Sequence, residues 1–229
     1  FMQLLVSPSS ILEARSAVDA DIIDVKKPSE GSLGANFPWV IKEIKGFAQK
    51  PVSAAIGDFP YKPGQASLAA YGAACAGADY IKIGLAFSGK DKAREVIAAV
   101  TKAVKDEFPK KFVVIAGYSD YERMGSISPF DISPLAAECG ADFAMIDTGI
   151  KDGKSTFAFM DEAALGRFTE KNRDLGIGTA LAGSIRFEDL DSLKRIGPEI
   201  IGVRGMVCGG DRNATIREDL VKTALAMIR

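Results

Sequence analysis

The sequence predicts a (β/α)8 barrel, or TIM barrel, formed as a single domain by residues 1–229. Eight short runs rich in apolar and β-branched residues alternate with segments of helical periodicity. The alternating units are about 20–35 residues long, the size of βα modules in a closed parallel barrel. A doubly wound open sheet is the main alternative, but no GxGxxG turn follows the first run. No linker or low-complexity stretch divides the chain.

The predicted elements follow one another along the whole chain. Strands are expected at 3–7, 21–26, 52–57, 79–84, 112–117, 142–147, 178–182 and 199–204. Helices are expected near 10–19, 37–48, 64–76, 89–107, 131–139, 160–175, 186–195 and 214–228. An Ala-Asp pair precedes strands two, four and six. We expect Asp21, Asp79 and Asp142 to be structural turn residues on the face opposite the site.

The chain contains no histidine, which excludes Ser-His-Asp and Cys-His nucleophiles, histidine bases and histidine-bound metals. We predict no metal or cofactor. The 29 Lys and Arg residues nearly balance 30 Asp and Glu, so nothing points to nucleic acid or a membrane surface as partner. Three widely spaced cysteines are typical of a reducing compartment, and no apolar run is long enough to span a bilayer. We expect a cytoplasmic protein that binds a small molecule and is able to form a homo-oligomer.

Charged residues occur near the ends of strands that should be apolar. Strand two contains Asp24 and Lys26, strand four contains Lys82, and strand six ends at Asp147, shortly before Lys151. A charge pointing outward would lie under a helix without water, which costs several kcal/mol unless it is paired. Pointing inward at the carboxyl ends of the strands, it reaches the cavity where barrel enzymes carry out chemistry. We therefore expect these five residues to converge on one site.

Clustered lysines indicate a particular chemistry. Burial and a neighbouring cation lower the pKa of a lysine amine and make it a nucleophile toward carbonyl groups. A nearby carboxylate can relay protons or stabilise the resulting iminium charge. The alternative is an internal ion-pair network that plugs the barrel mouth. Five charged groups from three strands favour the functional interpretation.

The loops after strands seven and eight are predicted to bind phosphate. They contain Gly183 and Ser184, then Arg204 and Gly205. Glycines allow the backbone to approach an anion closely, while a hydroxyl and a guanidinium add hydrogen bonds. The alternative is that Arg204 pairs with a carboxylate and that the glycines only fit a tight barrel end.

Several runs together resemble the (5-formylfuran-3-yl)methyl phosphate synthases of methanofuran biosynthesis. They are Leu5-Val-Ser-Pro8, Asp21-Ile-Ile-Asp-Val-Lys26, Glu30-Gly-Ser-Leu-Gly-Ala-Asn-Phe-Pro-Trp39, Tyr61-Lys-Pro-Gly64, Ala78-Asp-Tyr-Ile-Lys82, Asp147-Thr, Ile150-Lys-Asp-Gly-Lys154, Ala180-Leu-Ala-Gly-Ser-Ile185, Gly202-Val-Arg-Gly205 and Gly210-Asp-Arg-Asn213. The resemblance covers nearly the whole chain. Lys27 departs from the family, in which asparagine is commoner at that position.

The resemblance implies a TIM-barrel lyase that condenses two molecules of glyceraldehyde 3-phosphate into a furan aldehyde, with loss of phosphate and water. It implies that Lys26 forms a Schiff base with substrate and that Lys82 is the proton acceptor. Asp24, Asp147 and Lys151 correspond to further active-site groups. The resemblance does not indicate which residues bind the second phosphate group.

Three other functions fit parts of the pattern. A Schiff-base aldolase acting on another small sugar phosphate would share the barrel, the lysine and the phosphate site. A metal-dependent isomerase or epimerase on the same barrel would lose activity in chelator. A non-catalytic barrel that senses a phosphorylated metabolite would show no turnover.

Overall fold

Eight parallel strands close into a barrel in the computed structural model, which describes residues 1–229. The strands are β1 Gln3–Val6, β2 Ile22–Val25, β3 Val52–Phe59, β4 Tyr80–Leu85, β5 Phe112–Tyr118, β6 Phe143–Asp147, β7 Gly178–Leu181 and β8 Ile200–Val203. Pairing of Gln3 in β1 with Ile200 in β8 closes the sheet, so no strand edge is left free. The predicted TIM barrel is confirmed, and the open sheet is excluded.

Helices surround the barrel in the predicted order. They are α1 Ile11–Ser16, α2 Pro38–Phe47, α3 Pro63–Cys75, α4 Lys90–Lys105, α5 Tyr121–Met124, α6 Pro129–Glu138, α7 Glu162–Asp174, α8 Leu190–Ile196 and α9 Glu218–Ile228. The short α5 was not predicted, and α9 begins four residues later than predicted because the preceding residues form a loop after a 3-10 turn at Gly205–Cys208. No helix combines the length and apolar character that a membrane span requires.

Side chains alternate between the inside and the outside of the barrel. In β2, Ile22 packs in the interior core with Leu5 and Met145, while Ile23 and Val25 pack outward against the helices. This alternation agrees with the period of two expected for strands. It places Asp24, between Ile23 and Val25, on the interior side of the sheet.

The three Ala-Asp aspartates lie at the amino-terminal face of the barrel. Asp21, Asp79 and Asp142 each accept a hydrogen bond from a backbone N–H at or near the start of the preceding strand. The donors are Leu4, Val52 and Val113, at 2.8, 2.8 and 2.7 Å. The expectation that these carboxylates are structural is confirmed, because each holds a strand start far from the carboxyl-end cavity.

Strand β3 contains a β-bulge that changes which side chains face inward. Ala55 pairs with Lys82, but the next inward pairing joins Asp58, not Gly57, to Gly84. The extra residue reverses the alternation, and Gly57 accommodates it with a φ of 139°. Asp58 is thereby directed to the same side as Lys82, at the carboxyl end of the barrel.

Candidate active site

A cavity of about 680 Å³ opens at the carboxyl ends of the strands. Lys26, Lys82, Asp147 and Lys151 line it, and the loops after β7 and β8 form one wall. Its floor consists of apolar interior side chains, including Met145. Four of the five charged groups predicted to converge therefore lie in one cavity. The fifth, Asp24, lies beneath Lys82 with no exposed surface.

Asp24 and Lys82 form an ion pair that is almost completely buried. The Lys82 Nζ donates to Asp24 Oδ2 over 2.8 Å, and the Ser7 hydroxyl donates to the same oxygen over 2.8 Å. Burial alone would raise the pKa of Asp24, but the charges of Lys82 and Lys26 and the Lys82 hydrogen bond together lower it. Asp24 is thus held as a carboxylate that fixes the position of the Lys82 side chain.

Lys26 has no carboxylate within ion-pairing distance, although its side chain is buried. Its only hydrogen bond joins Nζ to the backbone oxygen of Ser32 over 3.4 Å. Burial lowers the pKa of Lys26 to about 8; Lys151 and Lys82 also lower it, whereas Asp147 and Asp24 oppose the shift. A substantial fraction of this amine is neutral near pH 8, as a nucleophile toward carbonyl groups requires.

Asp147 and Lys151 form a second ion pair, at the end of β6. The Lys151 Nζ donates to Asp147 Oδ1 over 2.6 Å and to the Thr148 hydroxyl over 2.8 Å. Burial would raise the pKa of Asp147, but Lys151 and Lys26 outweigh it and lower the pKa. The alternative of an ion-pair network thus describes Asp24–Lys82 and Asp147–Lys151 but leaves Lys26 unexplained.

The loop after β2 covers one side of the mouth and is held by Asp58, which we did not predict as a site residue. Asp58 accepts hydrogen bonds from the Tyr118 hydroxyl, over 2.5 Å, and from the backbone N–H of Leu33, over 3.0 Å. Burial and the Asp58 charge raise the pKa of Tyr118, so it stays a hydrogen-bond donor. The Ser32 hydroxyl donates to the Thr148 backbone oxygen over 2.6 Å. The loop that contacts Lys26 is therefore fixed to β3, β5 and the end of β6.

Arg204 does not present a free guanidinium to the cavity. It pairs with Glu13 through two hydrogen bonds of 2.9 and 3.2 Å and donates to the backbone oxygens of Ser7 and Arg212. Four of its five N–H bonds are used within the protein. The geometry agrees with the alternative interpretation, an Arg–carboxylate pair, because Glu13 occupies the planar fork that was predicted to bind phosphate. Its structural role is to tie α1 to the loops after β1 and β8.

The loop after β7 lines the cavity and has an unusual backbone conformation. Gly183 and Ser184 have φ values of 105° and 50°, and Ser184 is the only residue other than glycine with positive φ. The N–H groups of Gly183, Ser184 and Ile185 make no hydrogen bonds within the protein. Successive free N–H groups in such a conformation form a nest for an anion. Gly205, at the start of the 3-10 turn after β8, lines the same wall.

Gly183→Ala is expected to weaken binding of inorganic phosphate at least about tenfold, because it disturbs hydrogen bonds to a charged ligand. A Cβ at this position would lie 2.3 Å from Thr156 Oγ1 and 2.8 Å from Thr148 N, so the loop must move. Gly176→Ala is the matched control, since Gly176 also has positive φ but no atom lies within 4 Å of its Cβ position. Calorimetric titration of both variants with phosphate measures the difference; equal affinities would show that the nest does not hold the anion.

The closed barrel and the charged cavity at its carboxyl end define a TIM-barrel enzyme. More particularly, the chain belongs to the 4-HFC-P synthase family, whose model matches residues 4–225. It is 59% identical to the (5-formylfuran-3-yl)methyl phosphate synthase of Methanosarcina barkeri, with 98% of each chain covered. It is 52% identical to the enzyme of the same name from Archaeoglobus fulgidus, with 96% of each chain covered. The family predicted by the sequence motifs is confirmed.

Solved structures show the same architecture at much lower sequence identity. A 3-hexulose-6-phosphate synthase aligns over the full length of both chains with a TM-score of 0.73 and 22% identity. The 3-hexulose-6-phosphate synthase from Salmonella typhimurium, also aligned over both full lengths, gives a TM-score of 0.65 and 19% identity. At this identity the likeness concerns the fold alone.

Proposed function

We propose that the protein is a lyase that condenses two molecules of glyceraldehyde 3-phosphate into (5-formylfuran-3-yl)methyl phosphate through a Schiff base on Lys26, as a step in methanofuran biosynthesis. The observation that carries this proposal is the buried, unpaired amine of Lys26, with a pKa of about 8, inside the cavity. The names of the full-length relatives supply the product. The substrate and the covalent step are what the resemblance to this family implies, and a buried amine without a carboxylate partner suits that chemistry.

The proposed reaction begins when the Lys26 amine attacks the aldehyde carbon of one triose and water leaves, forming an iminium ion. The iminium acidifies the adjacent carbon, and Lys82 accepts the proton from that carbon. Lys82 is able to do so because its own proton has already gone to the carbinolamine oxygen that left as water, while the 2.8 Å hydrogen bond to Asp24 holds its amine in place. The resulting enamine attacks the aldehyde of the second triose and forms the new carbon–carbon bond.

Aromatisation completes the proposed sequence. One phosphate and two molecules of water leave by elimination, a hydroxyl closes the ring, and hydrolysis returns the free Lys26 amine with the water that iminium formation had released. Overall, two trioses yield the furan aldehyde, one phosphate and two molecules of water. Asp147 stabilises the iminium charge, while the Lys151 ammonium, 2.6 Å from Asp147, donates protons to the departing oxygen atoms.

Incubation with glyceraldehyde 3-phosphate alone tests the proposal. We expect a near-ultraviolet absorbance typical of a furan aldehyde, together with release of inorganic phosphate, in the presence or absence of chelator. An aldol product without that absorbance would instead support the Schiff-base aldolase. Loss of activity in chelator would support the metal-dependent isomerase. Binding of glyceraldehyde 3-phosphate without turnover would support a metabolite sensor.

The pH dependence of Schiff-base formation should reflect the pKa of Lys26. Borohydride trapping of glyceraldehyde 3-phosphate on Lys26 is expected to rise with pH to a half-maximum near pH 8, as the ammonium loses its proton. In Lys151→Met, the cation that lowers this pKa is lost and Asp147, which raises it, is left unpaired. Both changes raise the pKa of Lys26, so the half-maximum should move to higher pH. Quantitative mass spectrometry of the trapped peptide measures the shift, and an unchanged or lower midpoint would contradict this account.

A further inference from the structure

Seven cationic side chains line the cavity, and five of them have a carboxylate partner. The pairs are Lys82–Asp24, Lys151–Asp147, Arg186–Glu188, Arg204–Glu13 and Arg217–Asp219. The two without a partner are Lys26 and Arg212. Lys26 is explained by its proposed role as the nucleophile. Arg212 belongs to the run Gly210-Asp-Arg-Asn213 but was not among the predicted site residues, and nothing in the proposed reaction so far uses it.

Arg212 is held in place by its backbone, while its guanidinium makes no hydrogen bond. The backbone oxygen of Arg212 accepts a hydrogen bond from Arg204 Nε over 2.7 Å, which anchors the loop after β8. The side chain is half-buried and lines the cavity. An unpaired cation that has lost part of its water is unfavourable, so an anionic ligand is the expected partner.

Charged groups of both signs act on the Arg212 guanidinium. Burial and the nearby Arg204 lower the pKa of Arg212, whereas Asp147 and Asp58 oppose the shift. Asp147 ends β6 and Asp58 lies in β3, on different sides of the barrel. Arg212 lines the same cavity as Lys26 and Lys82, so an anion bound by its guanidinium would lie in that cavity.

We propose that Arg212 binds a second phosphate group, separate from the one in the nest at 183–185. This inference rests on the proposed function, because two triose phosphates bring two phosphate dianions into one cavity. The nest offers three backbone N–H groups but no full charge, and the charge of Arg204 beside it is neutralised by Glu13. Arg212 is the only full positive charge of the cavity left for an anion once Lys26 is assigned to the aldehyde. Its fork binds two phosphate oxygens at once.

Arg212→Gln tests the assignment, with Arg217→Gln as the matched control. Both changes remove one positive charge from the same rim, but Arg217 is exposed and already pairs with Asp219. We expect kcat/KM for furan formation to fall roughly 100-fold in Arg212→Gln. Arg217→Gln should change it less than about threefold. Arg212→Lys keeps the positive charge but lacks the planar guanidinium, so its kcat/KM should lie between those of the wild type and Arg212→Gln.

A second readout separates the two phosphate sites. Borohydride trapping of the first triose on Lys26 should remain within about twofold of the wild-type level in Arg212→Gln, because the nest still holds that phosphate. Crystals soaked in inorganic phosphate should show two anions in the wild type and only the nest anion in the variant. The proposal would be overturned if trapping in Arg212→Gln fell as far as kcat/KM does, or if Arg217→Gln lost as much kcat/KM as Arg212→Gln. It would also be overturned if crystals of Arg212→Gln bound the same anions as the wild type. A wild-type enzyme that makes no furan would refute the proposed function, while the soaked crystals would still report on Arg212.

Discussion

Lys26→Arg is expected to give a folded barrel with furan formation reduced at least about 10⁴-fold, as when a covalent nucleophile is removed. Arginine keeps the positive charge near Asp147 and Asp24, so the electrostatic balance of the cavity changes little. A guanidinium remains protonated at any working pH and cannot form an imine with an aldehyde. Lys26 borders a cavity of about 680 Å³, which gives the larger side chain room.

Product absorbance, circular dichroism and mass mapping after borohydride reduction measure this outcome together. Lys26→Met is a useful second variant, because it also lacks the amine and its side chain is no larger than that of lysine. Both variants should keep the thermal transition of a folded protein and lose the trapped adduct. If wild-type protein carries the adduct on Lys82 or Lys151 and never on Lys26, the roles assigned to the lysines are wrong, whatever the product.

The barrel could be predicted because parallel strands carry a strong local signal. Each strand is covered by helices outside and by other strands inside, so its run is apolar, and the eight runs stand out from the amphipathic helices. The expectation that such strands are apolar also identified the site. Asp24 and Lys82 are conspicuous because a charge within such a run is costly unless it has a specific partner, and the structure places their atoms 2.8 Å apart.

Asp58 shows where reasoning from alternation fails. A strict period of two directs Gly57 inward and Asp58 outward, and only the bulge between Ala55 and Asp58 reverses them. A bulge depends on pairing with the neighbouring strand, which the sequence of β3 alone does not reveal. The Gly57-Asp58 step was a local hint, since a glycine in a strand often marks a bulge.

The two arginines of the loop after β8 illustrate a second limit of prediction from sequence, which concerns ion pairs between distant residues. Arg204 and Arg212 have equal chemical capacity to bind phosphate, and the glycines around Arg204 made it the better candidate from sequence. The structure distinguishes them by a distant residue, because Glu13 in α1 neutralises Arg204 and no carboxylate reaches Arg212. Arg204 and Glu13 are 191 positions apart in the chain, and an ion pair over such a separation cannot be predicted from the spacing of residues within one loop.

Lys82→Met should be the most destabilising of the active-site substitutions, as well as severely lowering activity. It leaves the fully buried Asp24 carboxylate without its ammonium partner, and breaking a buried ion pair in this way costs about 3–5 kcal/mol of unfolding free energy. For a domain of this size, that corresponds to a fall in Tm of roughly 6–20 °C. The proposed proton acceptor is also lost, so furan formation should fall by about 10²–10⁴-fold.

The double variant Lys82→Met with Asp24→Asn separates stability from catalysis. Removing the unpaired charge should recover most of the lost Tm, because the amide introduced at position 24 keeps the shape of the carboxylate without its desolvation penalty. Activity should stay at the level of Lys82→Met, since no amine has been restored. If the double variant recovered both its Tm and its activity, Lys82 would serve only to neutralise Asp24, and another group would take the substrate proton. Because Lys26 also lowers the pKa of Asp24, trapping on Lys26 in the single variant Lys82→Met would show whether its amine has taken over that neutralising role.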